Sequence, residues 1–584
     1  MTGTGSAGRI SRVSGPLVEV SGLAGLAMAE VVELGEPRLP GEVVAIDALR
    51  ATVQAYEYTG GLAPGDPVAA RGAPLSAPLG PHLLGGIFDG LLRPLAGAGP
   101  FLRPGAAAAP PGAGRAFPFT PRARDGDVLA AGDALGAVTV AGAVPYLVLV
   151  PPGAAGEVRG ISPAGDLPAG AIVATVGGRP VPLTGSWPVR TPRPVAERLE
   201  AGEPLRTGQR VVDLLFPVTL GGTSAVPGGF GTGKTVLLQQ ITKWCDADVI
   251  VYVGCGERGN ELAEMLTELS ALADPRTGGR LADRTVVIAN TSNMPMMARE
   301  ASIYAGAAVA EHFRDMGLRV VVVADSTSRW AEALREFSSR SGEMPAEEGY
   351  PAGLASALAA FYERAGLVTT LGGRTGSVTI IAAVSPPGGD MTEPVTAYSV
   401  RFVRTLWTLD RDLAYARHYP AVSWEGSFCR DAAAIGNWYA RNGDPGWAHR
   451  RERLAAVLVQ ADQAAALAEL TGATALPAAQ RMAILAGRLV REGVLQQSAI
   501  SATDASCEPA RAAALADAAL EVADACGRLA DRGVPADLIE RQDFSALLRA
   551  KEEAATPEQV RGRAGDLIGR LSSLEADREG GPRS

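Results

Sequence analysis

Gly228-Gly229-Phe230-Gly231-Thr232-Gly233-Lys234-Thr235 is the stretch on which the reading of this chain turns. It satisfies the pattern GxxxxGK[ST], and Val236, Leu237, Leu238, Ile241, Trp244 and Cys245 follow at helical spacing, so a glycine loop opens a helix. Glycines let successive backbone N–H groups turn inward around phosphates, and the helix N-terminus adds partial positive charge. The Lys234 ammonium then reaches the β and γ groups, and Thr235 offers its hydroxyl to Mg²⁺. The competing reading is a glycine turn beside an incidental lysine. Lysine, however, occurs only at Lys234, Lys243 and Lys551 among 54 basic residues. A chain of this composition produces the pattern by chance roughly 0.004 times. Drift toward GC-rich codons accounts for the arginine excess, but a planar guanidinium does not replace a compact ammonium inside a tight backbone cradle.

Two further stretches support the phosphate reading. Arg319-Val320-Val321-Val322-Val323-Ala324-Asp325 is a buried strand ending in a carboxylate, the Walker B pattern of a residue that holds metal-bound water. Alone, Asp325 serves equally well as a helix cap. Val249–Val253 runs into Gly254-Cys255-Gly256-Glu257-Arg258-Gly259-Asn260-Glu261, and ligands of doubly wound sheets bind outside the carboxyl ends of strands. Glu257 is the candidate to orient the attacking water, and Arg258 to bind phosphate oxygens. A surface Glu–Arg pair worth little is the plain alternative, against which the flanking glycines argue.

Outward from these motifs, the 584 residues imply three or four domains, and 47% hydrophobic against 20% charged residues implies sizeable cores. The net charge of −9, without an arginine cluster, speaks against a nucleic-acid partner. Five cysteines lie far apart with no CxxC, which fits a reduced protein without structural zinc. Met1–Arg12 lacks the apolar core of a signal peptide. Runs such as Ala137–Pro152 contain glycine and proline and fall short of the roughly 20 residues that span a bilayer, so a membrane role is expected to be peripheral.

Four regions are expected. Short strands over Arg9–Val20, Ala29–Leu34, Gly41–Ile46 and Ala51–Tyr58 suggest a β-barrel in 1–75. Residues 76–186 hold a connecting segment and an inserted β-rich domain, with strands in Ala130–Val140, Tyr146–Val150, Gly156–Ile161 and Ala171–Val176. Strands alternate with helical patterns over 187–430, which implies a P-loop α/β domain around a parallel sheet. Residues 431–584 read as helices, the last capped by Thr556 and Gln559.

At this point the chain resembles the catalytic A subunits (alpha chains) of V-type and A-type rotary ATPases. The resemblance rests on Val13-Ser14-Gly15-Pro16-Leu17-Val18, Gly80–Gly90, Val150-Pro151-Pro152-Gly153, Trp187-Pro188-Val189-Arg190, Gly254–Glu261, Asn290–Pro295, Ala324–Glu336 and Ser385–Asp390. It implies a chain that binds ATP or ADP with Mg²⁺ and couples ATP hydrolysis or synthesis to proton or sodium transport. Three such A subunits would alternate with three B subunits that supply an arginine finger. Central and peripheral stalks would join this ring to a membrane sector at the cytoplasmic face of the cell membrane. By matched position, Gly228–Val236 contact the nucleotide, Lys234 and Thr235 hold phosphate and Mg²⁺, Glu257 is the catalytic carboxylate, Arg258 and Arg329 lie at the phosphates, and Asp325 binds metal.

The resemblance also places Tyr419 and Ile500 beside adenine, Tyr419 replacing a phenylalanine conservatively and Ile500 standing where an aromatic ring is usual. Other departures are Gly353 and Ala357, where tyrosine and arginine are common, Thr232, where eukaryotic relatives carry cysteine, and the divergent chain after Asp431. The alternatives are a non-catalytic B-type ring chain, a secretion or export hexameric ATPase, an RNA translocase, or an A-type chain uncoupled from rotation.

Overall fold

The computed structural model describes residues 8–579 except 48–49, 97–101, 103, 106–111, 113 and 141–143. The start of the N-terminal stretch, before Gly8, and part of the connecting segment expected within 76–186 lie outside the described residues. The chain forms two compact units, each built from separated segments. The first comprises 1–200, 220–223 and 247–402, and the second 201–219, 224–246 and 403–584.

The first unit begins with a closed barrel of β1 (Gly8–Ser14), β2 (Leu17–Ser21), β3 (Glu30–Leu34), β4 (Leu39–Asp47), β5 (Arg50–Ala55) and β6 (Pro67–Pro74), in the order β1-β2-β5-β4-β3-β6. Ile10, Val18, Val20, Val32, Leu34, Val43, Val53 and Val68 fill it. The stretch expected as one strand, Arg9–Val20, is a hairpin, because Gly15 at φ 60° and the following Pro16 reverse the chain. Closure leaves no unpaired strand edge.

The inserted domain is two four-stranded sheets. One orders Val128–Leu129, Gly156–Arg159, Ile172–Val176 and Arg179–Pro182, the other Tyr146–Leu149, Ala134–Val138, Ala116–Pro121 and Gly165–Pro168. Besides Val128–Leu129, three strands go beyond the expected series: Ala116–Pro121, Gly165–Pro168 and Arg179–Pro182. Each carries proline, which lowers strand propensity, and two of them lie at sheet edges where a missing N–H is tolerated.

Beyond the insertion lies a sheet whose successive strands are Glu197–Leu199, Gly366–Thr369, Thr375–Val384, Arg319–Asp325, Val249–Glu257, Thr285–Thr291 and Ile87–Phe88. The last five are mutually parallel. Their runs of β-branched residues are buried, as expected of strands covered on both faces. Ile87–Phe88 comes from upstream of the insertion, so the sheet recruits a strand from outside 187–430.

In the second unit Thr223–Pro227 pairs in parallel with Thr405–Leu406, which Phe428–Cys429 extends in antiparallel fashion. The helices Trp447–Thr471, Ala478–Val490 and Pro509–Asp531 pack on one another, and Pro557–Glu579 packs on the third. The expected cap of the final helix is present. Gln559 N donates to Thr556 Oγ1 at 3.4 Å, and Thr556 N donates to Gln559 Oε1 at 3.3 Å.

Candidate nucleotide site

The phosphate loop belongs to the second unit. It leaves the strand Thr223–Pro227 and passes at Gly233, φ 87°, into the helix Lys234–Trp244. A side chain at Gly233 would be strained by that φ, and its Cβ would stand 3.3 Å from the Tyr419 ring. Leu237, Leu238 and Ile241 anchor the helix in the core, whereas Val236 is half exposed. The Lys234 ammonium donates to the carbonyl oxygens of Gly228 and of Gly229, the latter at 3.0 Å. Thr232 is buried and donates to Gly229 O at 2.9 Å, which fixes the loop from within. Thr235 is exposed at the start of the helix.

Of the apolar side chains that this unit leaves open to solvent, which include Tyr415 and Leu470, the three expected at the nucleotide are Phe230 at 92%, Ile500 at 98% and Tyr419 at 40% exposure. Exposed apolar surface of this kind carries a cost in water that a flat organic ligand relieves.

The carboxylates belong to the first unit. Glu257 ends the strand Val249–Glu257, Asp325 ends the neighbouring parallel strand, and the register sets Gly254 opposite Asp325. Asp325 is buried and accepts a hydrogen bond from the Tyr252 hydroxyl at 3.2 Å. Burial, and next the negative charge of Asp325, push the Glu257 carboxyl up to about 8, with Arg329 opposing. Gly256, at φ 76°, lets the Arg329 stem cross the loop, since a Cβ there would lie 2.7 Å from Arg329 Cβ.

The two arginines stand at the surface. Arg329 pairs with Glu332 at 3.0 Å, and Arg258 precedes the helix Gly259–Ala271 and faces Glu261 at 3.6 Å. Sequence reading missed Tyr252, whose contact depends on strand register. It also missed Arg299, whose guanidinium donates to Ser292 O at 2.8 Å in the loop whose Ser292 N holds Glu257 O at 2.9 Å.

Among the described residues no group of three or more His, Cys, Asp or Glu is arranged to hold a metal ion by itself. Asp325, a buried carboxylate of the first unit, and Thr235, an exposed hydroxyl of the second, are each oxygen donors of the kind Mg²⁺ takes. No helix among the described residues is long and apolar enough to cross a membrane.

Comparison with known proteins gives a consistent result. Residues 208–429 match the ATP synthase alpha/beta family, nucleotide-binding domain. Residues 112–190 match its barrel-sandwich domain, and 10–72 its beta-barrel domain. Residues 436–526 match the C-terminal domain of V and A type ATP synthase. The V-type ATP synthase alpha chain of Anaeromyxobacter sp. (strain K) is 50% identical over 580 residues, covering 98% of this chain and 100% of that one. The corresponding A-type ATP synthase chain of Staphylothermus marinus is 48% identical over 514 residues, 87% of each chain. That of Metallosphaera sedula is 46% identical over 539 residues, 90% of this chain and 91% of that one. An export-ATPase reading finds no support among these matches, and with a V and A type C-terminal domain behind an ATP synthase nucleotide-binding domain, the chain belongs to the family of V/A-type ATP synthase alpha chains.

Proposed function

We propose that this ATP synthase catalytic chain makes or hydrolyses ATP with Lys234, Glu257 and Asp325 in the leading roles, coupled to proton or sodium transport. The observation that carries the reading is the glycine loop that opens a helix with its lysine held at the loop carbonyls. Lys234 and the loop N–H groups balance the charge of the β and γ phosphates. Thr235 and Asp325 would hold Mg²⁺, which neutralises charge building on the phosphate oxygens. Tyr252 keeps the Asp325 carboxylate oriented. Glu257, once ionised, accepts a hydrogen bond from the attacking water and aligns it, while Arg329 and Arg258 provide mobile positive charge near the phosphates. Phe230, Tyr419 and Ile500 would offer apolar surface to the base.

The chain assembles with other ATP synthase subunits. In our reading these are three B-type chains alternating with three copies of this one, with central and peripheral stalks linking the ring to a membrane sector at the cytoplasmic face. An arginine supplied in trans is worth roughly 10³–10⁵ in rate. Purified alone, the chain is therefore expected to bind nucleotide and turn it over slowly.

The test is the ATPase rate of a reconstituted A–B ring carrying Lys234→Ala or Glu257→Gln. Each is expected to lose at least about a hundredfold. Wild-type rates in both variants would sink the assignment.

A further inference from the structure

Of the chain's three lysines, Lys234 belongs to the phosphate loop, and Lys243 lies over the Trp244 ring at 4.6 Å. Lys551, in the short helix Ala550–Glu553, has a different setting. Its ammonium is buried and donates to Glu492 O at 2.7 Å, Gln496 O at 3.2 Å and Gln496 Oε1 at 3.1 Å. Glu492 lies in the π-helical turn Arg491–Leu495, and Gln496 follows it. Such a turn leaves carbonyls without helical partners, and Lys551 gathers them. Three donors diverging from one nitrogen match acceptors converging from one turn, which a flat guanidinium does not.

The same segment is fastened from the other side. Arg210, fully buried, donates to Gln496 O at 2.8 Å and pairs with Asp504 at 2.6 Å, and Asp504 accepts from Ser498 N at 2.8 Å. Gln497 donates through its amide to Gly208 O at 2.8 Å and accepts from Arg210 N at 2.9 Å. Its backbone N–H donates to Tyr419 O at 2.8 Å. The Tyr419 ring in turn borders Gly233. A continuous set of hydrogen bonds thus runs from Lys551 through Gln496 and Gln497 to the tyrosine beside the phosphate loop, and Ile500 closes the same segment.

We propose that Lys551 is a positioning residue for the base end of the nucleotide, setting through the π-helical turn the path of residues 496–500 and the backbone of Tyr419. The proposal rests on the reading of Tyr419 and Ile500 as neighbours of the base. It separates the base end from the phosphate end, which the loop around Lys234 serves without help from Lys551.

The experiment measures equilibrium binding of MgATP and of inorganic triphosphate with Mg²⁺ to the full-length chain. Lys551→Met is expected to weaken ATP binding about tenfold and triphosphate binding less than about twofold. Gln496→Ala removes one acceptor on a half-buried side chain and reads the same contrast if Lys551→Met does not fold, with an expected ATP-selective loss of about threefold. Equal losses for both probes, as general damage would give, overturn the proposal, and so does unchanged ATP affinity in both variants. Lys234→Ala is expected to weaken both probes. ATP binding indifferent to that change breaks the phosphate-loop reading instead.

Discussion

The phosphate loop and the acidic strand ends solve opposite electrostatic problems. The loop is made of contiguous backbone and one ammonium, and its carbonyls already satisfy that cation. The strand ends bring two carboxyls from positions 68 residues apart into one field, where burial, and next the neighbouring Asp325, push the Glu257 carboxyl up to about 8. A positive cradle of main chain awaits an anion, and a crowded pair of acids awaits a cation. In the proposed function MgATP would supply both, and the two regions are expected to fail in different ways when altered.

The largest contrast is expected from Asp325→Asn. Turnover by the A–B ring is expected to fall at least about a hundredfold, while binding of ATP to the chain changes by less than about threefold. Parallel losses in binding and turnover would erase the distinction between the regions. Tyr252→Phe leaves both acids in place but removes the hydroxyl that orients Asp325. The Mg²⁺ concentration for half-maximal ATPase is expected to rise about tenfold, and an unchanged requirement would take Tyr252 out of the metal side. On the phosphate-loop side, Ile500→Phe adds a ring at an exposed position. ATP binding is expected to tighten by a factor of about three to ten, with inorganic triphosphate unaffected. Equal tightening of both would contradict a base-end location.

The smallest effect concerns stability. The Glu257 carboxyl ordinarily titrates near 4.5 and is held at about 8 in the folded chain. The folded state therefore binds more protons than the unfolded one across that window, and stability falls as pH rises through it. Glu257→Gln has no such proton to lose. In metal-free, nucleotide-free buffer its Tm is expected to gain on wild type from about pH 5 to about pH 8 and then stay level. Parallel Tm curves would show that Glu257 is ionised throughout.

The same contrast governs what the sequence made legible. The loop could be read because its chemistry is contiguous: six intervals from Gly228 to Lys234 hold the turn, the cradle and the cation. Asp325 was legible because a run of valines announces a buried strand and an acid ends it. Tyr252 was not, since a tyrosine inside a strand carries no sign of its partner until the register sets it opposite Val323, two residues before Asp325. Ile87–Phe88 is too short to have a period, and its place in the sheet comes from pairing with Val287 and Ile288. The proline-bearing strands of the inserted domain ran against local propensity and were decided by sheet pairing. The π-helical turn at Arg491–Leu495 accepts a hydrogen bond at Glu492 O from Lys551, 56 residues beyond its last residue, which no local window contains.

One packing detail beneath the acids carries a mechanical meaning. The helix Met296–Arg314 is buried along nearly its whole length, and it lies against the strand that ends in Glu257. At Gly306 the approach is so close that a Cβ would meet Val253 Cγ2 at 2.5 Å. With no slack between them, strand and helix behave as one stiff girder, because a close-packed interior shifts as a block sooner than it deforms. Any motion during turnover is then expected beyond the girder's end, at Arg258 and the residues after it, with the foundation of the Glu257 carboxylate held still.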